Sequence, residues 1–227
     1  MKSKWYKKIL FCVVMVGILL AYTRNLMAFG LDVHERLTKE AILQNKASLS
    51  NYITGYTGIK FLTEKVAGDD LVEQIMQSSK MEDFVFVILF YENLYSHFYN
   101  PLTNAAFKGS GIPSAYDWAN DSANRWSWSE AKLYFYQALT LTDNFDRAIA
   151  LDNAFESLGH VMHLLQDVAV PAHSRLDLHG FPFRADFLES YTSDKIDDLE
   201  YTQVPYRGNT PTTSVIFAPL QLWDGDF

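Results

Sequence analysis

Residues 158–173 read LGHVMHLLQDVAVPAH, and this stretch is the strongest indication of the fold. At about 3.6 residues per turn, His163 and Asp167 lie one turn apart on one face of a helix, and His160 falls on the same face. Apolar side chains cover most of the remaining circumference: Leu158, Val161, Met162, Leu164 and Leu165. The pattern therefore predicts a buried helix that carries polar residues on one face.

A carboxylate on such a helix needs a compensating charge. Burying an unpaired Asp167 would cost several kcal/mol, so the residue requires a cation, and the imidazole of His163 beside it suggests a metal. The alternative is a core histidine with a salt-bridged or capping aspartate. Pro171 is expected to end the helix, and His173 follows at the turn.

The motifs around this pair are similar to those of a known superfamily. The pattern Leu-Gly-x3-His-x3-Asp-x3-Pro-x-His resembles the signature of zinc-dependent phospholipases C and single-strand-specific zinc nucleases. Two further motifs extend the resemblance over residues 29–191, namely Met-Glu-Asp at 81–83 and Ser-His-Phe-Tyr-Asn-Pro at 96–101. The resemblance implies an all-α fold, a single multi-helix domain that holds up to three Zn²⁺ ions and hydrolyses phosphoric ester bonds.

The same resemblance implies a set of metal ligands: Phe29, His34, Asp83, His97, His163, Asp167, His173, His179 and Glu189. Asp167 matches the carboxylate that bridges two zinc ions in the family. His97, His163 and Asp83 would complete one of these two sites. The neighbouring site would take His34 with the free amine and carbonyl of Phe29.

Asp83 is also the predicted catalytic residue, since a carboxylate at that position could orient or deprotonate the attacking water. Glu82 is its alternative as the metal carboxylate. In relatives a loop follows this acidic pair, whereas here an apolar run at 84–90 follows it, and its periodicity decides neither helix nor strand.

The third zinc would take His173, His179 and a carboxylate. The family places that carboxylate one helical turn after the second histidine, but ten residues separate His179 from Glu189 in this chain. An inserted loop at 180–184, followed by a helix that restarts near Glu189, would explain the difference. Asp186 and Asp177 remain the alternatives.

The first 28 residues differ in character from the rest. A basic start and an apolar run, Ile9–Leu20, lead to a small residue at Ala28, which predicts a secretory signal peptide. An uncleaved N-terminal anchor is the alternative. We therefore expect a secreted or periplasmic protein, or one anchored outside the cytoplasm, with Phe29 first in the mature chain.

Composition limits the remaining possibilities. A hydrophobic content of 48% suits a folded domain, here residues 29–195, followed by a tail at 196–227 that is either a linker or a truncated end. The only cysteine, Cys12, lies in the predicted signal peptide, so thiolate ligands are excluded from the mature chain. Loss of residues 1–28 removes five basic and no acidic residues and takes the formal charge from −8 to −13. Such a domain should form no stable nucleic-acid complex and at most a transient membrane-surface contact.

Other segments give a coarse map of the helices. Residues 50–68 and 102–124 are predicted as loops because glycine, asparagine and polar residues are frequent there. Residues 129–150 fit one or two amphipathic helices, and residues 151–167 form the predicted central helix. Three tryptophans near these segments would either line a substrate pocket or anchor helices: Trp118, Trp126 and Trp128.

The sequence thus favours a zinc phosphodiester hydrolase acting on a phospholipid headgroup or a nucleotide, with the phospholipase C-like branch preferred. A nuclease of the same superfamily and a non-catalytic zinc-stabilised helical module are the alternatives. A carboxylate di-iron bundle is excluded because neither Glu92 nor Glu156 has a histidine three residues later.

Overall fold

The computed structural model describes residues 30–58, 65–66, 69–89, 95–107, 111–179 and 186–196. Within these ranges the chain forms eight α-helices and one short antiparallel hairpin. The helices are α1 (Leu31–Gln44), α2 (Lys46–Thr57), α3 (Leu71–Leu89), α4 (Ala115–Asn120), α5 (Trp128–Thr140), α6 (Asn144–Val168), α7 (Pro171–Arg175) and α8 (Phe187–Lys195). The strands are β1 (Lys65–Val66) and β2 (Asp69–Asp70). The prediction of a mostly helical chain is confirmed.

Helix α6 lies at the centre of the described structure, with α3 and α5 as its main neighbours. It begins after Asp143, whose Oδ1 accepts hydrogen bonds from the backbone N–H groups of Phe145 and Asp146. The predicted central helix is therefore correct in place, although it starts at Asn144 and not at Leu151. The prediction for 129–150 is also confirmed, because α5 and the first turns of α6 occupy it.

The two halves of α6 lie in different surroundings. Its N-terminal half belongs to the main apolar core, which consists of Ile42, Ile53, Leu71, Ile75, Ala138, Ala150, Leu151 and Phe155. Its C-terminal half buries polar residues, among them His160, His163 and Asp167. Leu165 was predicted to be buried and is not, since 67% of it is exposed. It lies about 200° around the helix from His163, on the side that faces solvent.

Helix α3 crosses α6 at Gly159, where the two backbones approach closely. A Cβ added at Gly159 would lie 2.5 Å from the carbonyl oxygen of Ile75 and 2.6 Å from Cβ of Ser78. This approach also brings the carbonyl oxygen of Ser79 to 2.7 Å from Nδ1 of His163. The glycine therefore sets the distance between the helix that carries Asp83 and the helix that carries His163.

Helices α1, α7 and α8 meet at the other end of the described structure. Val33, Val170 and Ala172 form a second, small apolar cluster against which Ile196 packs. The backbone N–H of Gly30 donates a hydrogen bond to Oγ of Ser193 on α8. These contacts place the start of α1 beside the helices that carry His173 and Glu189.

The structure corrects the loop prediction at 50–57 and adds detail at two further segments. Residues 50–57 were predicted as a loop but belong to α2, which continues through Gly55 and ends at Gly58, where φ is 76°. The apolar run after Asp83 is helical through Leu89, because α3 continues through it. Pro171 does follow the end of α6, but it also begins α7, since its fixed φ suits the first helical position.

The predicted loop at 102–124 contains α4, which begins after Ser114; the Oγ of Ser114 accepts a hydrogen bond from the N–H of Asp117. None of the described helices combines the length and the apolar composition that a membrane span requires.

The crossing at Gly159 leads to a stability prediction. We expect Gly159→Ala to lower the free energy of unfolding by about 1–3 kcal/mol, because the new methyl group would overlap the backbone of α3 and force the helices apart. Urea unfolding followed by circular dichroism measures this change.

The matched control is Gly55→Ala in α2, where an added Cβ has no atom within 4 Å. That variant should be unchanged or more stable by up to about 1 kcal/mol, because alanine favours a helix interior. Equal stability of the Gly159→Ala variant and the wild type would show that the helices can separate without cost.

Candidate metal centre

His163 and Asp167 share one face of α6, as the spacing predicts, and both are fully buried. Nε2 of His163 lies 3.1 Å from Oδ2 of Asp167. The alternative of a core histidine with a salt-bridged aspartate also fits Asp167. The side chains that the structure places around its carboxylate are histidines.

Three other segments bring side chains to this pair. His34 in the first turn of α1 places Nε2 3.4 Å from Oδ1 of Asp167. His97, in a 3₁₀ turn at 95–97, places Nδ1 2.5 Å from Oδ2 of the same carboxylate. Asp83 on α3 lies 3.5 Å from Nε2 of His163 through Oδ1 and 3.9 Å from Nε2 of His34 through Oδ2. Asp167 therefore presents one oxygen to His34 and the other to His97 and His163.

These side chains form two overlapping groups with the spacing of metal ligands. His34, Asp83 and His163 make up the first group, and His97, His163 and Asp167 make up the second. Within each group one donor atom from every residue lies within 4.8 Å of the others. Since Nδ1 of His163 is hydrogen-bonded to Ser79, its Nε2 could bind one ion only, and the two oxygens of Asp167 are the atoms that could link a pair of ions.

A third group contains His173, His179 and Glu189. Oε1 of Glu189 lies 2.9 Å from Nε2 of His179 and 3.4 Å from Nε2 of His173. Glu189 is buried in the first turn of α8, as the prediction of a restarted helix requires. The two alternative carboxylates face elsewhere. Asp186 caps α8, and Asp177 pairs with Arg175 at 2.9 Å.

Backbone carbonyl groups orient three of the imidazoles. Nδ1 of His163 donates to the carbonyl of Ser79, Nδ1 of His173 to that of His97, and Nδ1 of His179 to that of Asp177. Because a carbonyl oxygen only accepts, the neutral form of each ring carries its proton on Nδ1. The lone pair on Nε2 then faces the carboxylates, which is the arrangement found around histidines that bind metals.

Several converging atoms make no hydrogen bond with the part of the chain that the structure describes. They are Oδ2 of Asp83, Oδ1 of Asp167, Nε2 of His173 and Oε1 of Glu189. Buried polar atoms are almost always satisfied, and a buried carboxylate oxygen left alone is costly. These donor sets therefore fit metal ions, which would supply the charge that the oxygen atoms need.

The pKa values reflect the mutual influence of these groups. Burial, the largest effect on His163, opposes its protonation, yet the carboxylates of Asp167 and Asp83 outweigh it and raise its pKa well above the usual range. The pKa of His97 is raised in the same way, mainly by its hydrogen bond to Asp167. Burial would raise the pKa of Asp167, but the charge of His163 holds it well below the usual range. Burial, aided by the charge of His163, lowers the pKa of His34 to about 4.

Glu82, the alternative to Asp83, faces a different partner. Its Oε2 forms a short hydrogen bond with Nδ1 of His160, and Nε1 of Trp118 donates to its Oε1 at 3.4 Å. The ring of Trp126 stacks on His160 with centroids 4.1 Å apart. His160 shares the helix face of His163, as predicted, but it pairs with Glu82 and lies outside the three metal-binding groups. The sequence did not indicate this buried pair of Glu82 and His160.

Two of the tryptophans have the helix-anchoring role, and the structure places the third away from the site. Trp118 and Trp126 anchor helices, the latter through Nε1, which donates to Oε1 of Glu156. Trp128 is 43% exposed and lines an apolar groove of about 390 Å³ with Tyr116 and Leu165. The residues of α6 that line this groove lie on the side of the helix away from His163 and Asp167.

Phe29, the remaining predicted ligand, lies outside the described residues, as do the predicted signal peptide at 1–28 and the tail from residue 197 onward. The predicted inserted loop at 180–184 also lies outside them. No protein-family model, curated protein or solved structure matches the chain, so its function has to be inferred from the geometry of the site.

The third group leads to a prediction about metal content. We expect Glu189→Gln to lower the zinc stoichiometry by about one ion, because it removes one of three protein donors. Atomic absorption of the purified protein measures this. Asp186→Asn is the matched control, since asparagine can still cap α8. Loss of zinc from the control, with Glu189→Gln unchanged, would move the ligand to Asp186.

The raised histidine pKa values lead to a prediction about pH. His163 and His97 must lose their protons before they can bind a metal, and their raised pKa values extend this competition above the ordinary value of about 6.5. We therefore expect zinc affinity to keep rising as the pH increases from about 6.5 to about 8. Competition titrations against a chelator, corrected for its own protonation, measure this, and a flat profile above about pH 6.5 would contradict it.

Proposed function

We propose that this chain is a zinc-dependent phosphodiester hydrolase, similar to phospholipase C, with a site for up to three Zn²⁺ ions. The observation that carries the proposal is the position of Asp167. Its two carboxylate oxygens face different histidines, Oδ1 facing His34 and Oδ2 facing His97. Two closely spaced metal ions held in this way suit the in-line displacement of a phosphate ester.

The donor atoms support a transition metal such as zinc over Mg²⁺ and Ca²⁺. All three groups contain imidazole nitrogens together with carboxylate oxygens, a combination that suits zinc, whereas Mg²⁺ and Ca²⁺ prefer oxygen donors alone. Each group contributes three side chains, which leaves a coordination position for water or substrate. This incomplete coordination favours a catalytic role over a purely structural one.

The chemistry divides between the metals and the protein. Bound zinc would lower the pKa of water toward about 7 and offset the negative charge of a phosphodiester. Asp83 is the residue that we propose to orient the attacking water through a hydrogen bond. Burial opposes its ionisation, but the charge of His163 keeps its pKa below the usual range, so it is ionised and able to accept a hydrogen bond.

The carbonyl groups of Ser79, His97 and Asp177 would hold their histidine rings in place throughout the reaction. No rotation of the ligands is then needed as charge develops on the phosphate.

A phospholipid headgroup is the preferred substrate, and a nuclease is the alternative. Trp126 cannot stack a nucleobase, because His160 covers one side of its ring and the guanidinium of Arg125 lies 4.3 Å from its centroid. The formal charge of the whole chain, −8, also disfavours a polyanion. We further propose secretion or anchoring outside the cytoplasm, with at most transient contact with a membrane surface.

The decisive variant is Asp167→Asn. We expect it to weaken the binding of at least two metal ions and to abolish phosphodiester hydrolysis, because it removes a charge that contacts histidines of both groups, His34 and His97. The fold should persist, since asparagine keeps the shape of the side chain. Zinc content and turnover of phosphatidylcholine, bis-p-nitrophenyl phosphate and single-stranded DNA are the measurements.

Asp146→Asn, an exposed position in the first turn of the same helix, is the control and should behave as the wild type. Normal turnover with full zinc occupancy in Asp167→Asn would refute the shared role. Zinc binding by the wild type without turnover of any ester would favour the non-catalytic module.

A further inference from the structure

His34 differs from three of the other histidines in what accepts its Nδ1 proton. His163, His173 and His179 donate to backbone carbonyl groups, which can only accept a hydrogen bond. Nδ1 of His34 instead lies 2.7 Å from Oε1 of Gln166, a side-chain amide. An amide offers an acceptor at one end and a donor at the other, so the direction of this hydrogen bond depends on how the amide is turned.

The direction decides whether His34 can bind a metal through Nε2. With Oε1 toward the ring, the neutral imidazole carries its proton on Nδ1, and Nε2 presents a lone pair toward Oδ1 of Asp167 at 3.4 Å. If the NH₂ group of Gln166 faced the ring, the proton would have to lie on Nε2. That N–H would then occupy the position of a metal bond between Asp167 and Asp83.

A second hydrogen bond fixes the orientation of the amide. Nε2 of Gln166 donates to Oγ1 of Thr38 at 2.8 Å, and Thr38 donates its own proton to Oγ of Ser79 at 2.8 Å. Thr38 and Ser79 are fully buried, so water does not compete for these bonds. Because the single hydroxyl proton of Thr38 is directed at Ser79, Thr38 can only accept from Gln166.

Position on the helices explains why these residues meet. Thr38 lies one turn after His34 on α1, so the two share a helix face. Gln166 precedes Asp167 on α6, so adjacent residues contact the two nitrogens of the same ring. Ser79 on α3 accepts the proton of Thr38 through Oγ, while its carbonyl holds His163. One chain of hydrogen bonds therefore connects both histidines of the group formed by His34, Asp83 and His163.

We propose that Gln166, held by Thr38, is a positioning residue that selects the Nδ1-protonated form of His34 and so prepares that histidine for a metal. Gln166 itself touches neither metal nor substrate. The inference rests on the proposed metal-binding function, but it concerns the state of the ring before a metal arrives. It can therefore be tested apart from hydrolysis.

The first test reads the ring directly in the metal-free protein. Nitrogen chemical shifts of ¹⁵N-histidine-labelled protein distinguish the two neutral forms, and the His34 signal is assigned from a His34→Gln variant. We expect the Nδ1-protonated form in the wild type and a mixture in Gln166→Leu. An Nε2-protonated His34 in the wild type, or an unchanged spectrum in Gln166→Leu, would overturn the inference whether or not the protein hydrolyses any ester.

The second test measures zinc affinity by competition with a chelator. Gln166→Leu should weaken the binding of one zinc ion by about 10- to 100-fold and leave the affinity for the others near the wild-type value. This is the usual effect of losing the hydrogen-bond partner of a metal-binding histidine. Gln166→Glu keeps the acceptor and should bind zinc nearly as the wild type does. Unaltered binding of all zinc ions by Gln166→Leu would contradict the proposal.

Two controls separate positioning from stability. Gln137→Leu makes the same change at a half-buried position of α5, and it should alter neither zinc affinity nor the His34 spectrum. Thr38→Val removes the hydroxyl but keeps the shape of the side chain, and it should weaken the binding of one zinc ion as Gln166→Leu does. Thr38→Ser keeps the hydroxyl and should bind zinc as the wild type does. Uniform loss of all zinc ions in step with a lowered melting temperature of the metal-free variant would mean that Gln166 serves the fold alone.

Discussion

The buried carboxylate of Asp167 is the constraint on which the site depends. A fully buried aspartate is stable only if nearby groups balance its charge. Here the balance comes from His34, His97 and His163, which belong to three separate segments of the chain. Folding must therefore bring α1, the turn at 95–97 and α6 together before Asp167 can be buried.

Without a metal, protons on the histidines supply part of that balance. The raised pKa of His163 and the lowered pKa of Asp167 both result from this pairing. A metal ion would compete for the same atoms and would offer a larger charge, so the cluster that balances Asp167 in this structure could also hold a metal. Nδ1 of His163 and of His173 donates to a backbone carbonyl on the other side of each ring. These hydrogen bonds are compatible with both the metal-free and the metal-bound protein.

The sequence could predict some of this arrangement and not the rest. Helical spacing alone placed His163 and Asp167 on one face, because that relation is local. The resemblance to a zinc hydrolase family, and not periodicity, indicated His34, Asp83 and Glu189, which approach only through long-range packing. Nothing in the sequence indicated the bond between Gln166 and His34, since it joins residues on different helices whose relative position depends on the fold.

The errors in local structure have related causes. Glycine at position 55 suggested a loop, but one glycine reduces helix stability by only about 1 kcal/mol, and Ile53 of α2 packs in the main apolar core. Leu165 was expected in the core because it is apolar. The structure buries instead the opposite, polar face of that part of α6, where His163 and Asp167 lie. Hydrophobicity is thus a poor guide to burial where a helix carries a charged cluster.

The neighbouring residues Glu82 and Asp83 on α3 contact two different histidines. Adjacent residues project about 100° apart around a helix, so Glu82 and Asp83 leave α3 in different directions. Asp83 faces His163, whereas Glu82 faces His160, and the same helix α6 supplies both histidines three residues apart. The crossing at Gly159 keeps α3 close enough for both pairs to form. Because His160 holds Glu82, only one carboxylate of the pair is available to the metal-binding groups, which limits the negative charge that bound cations would have to offset.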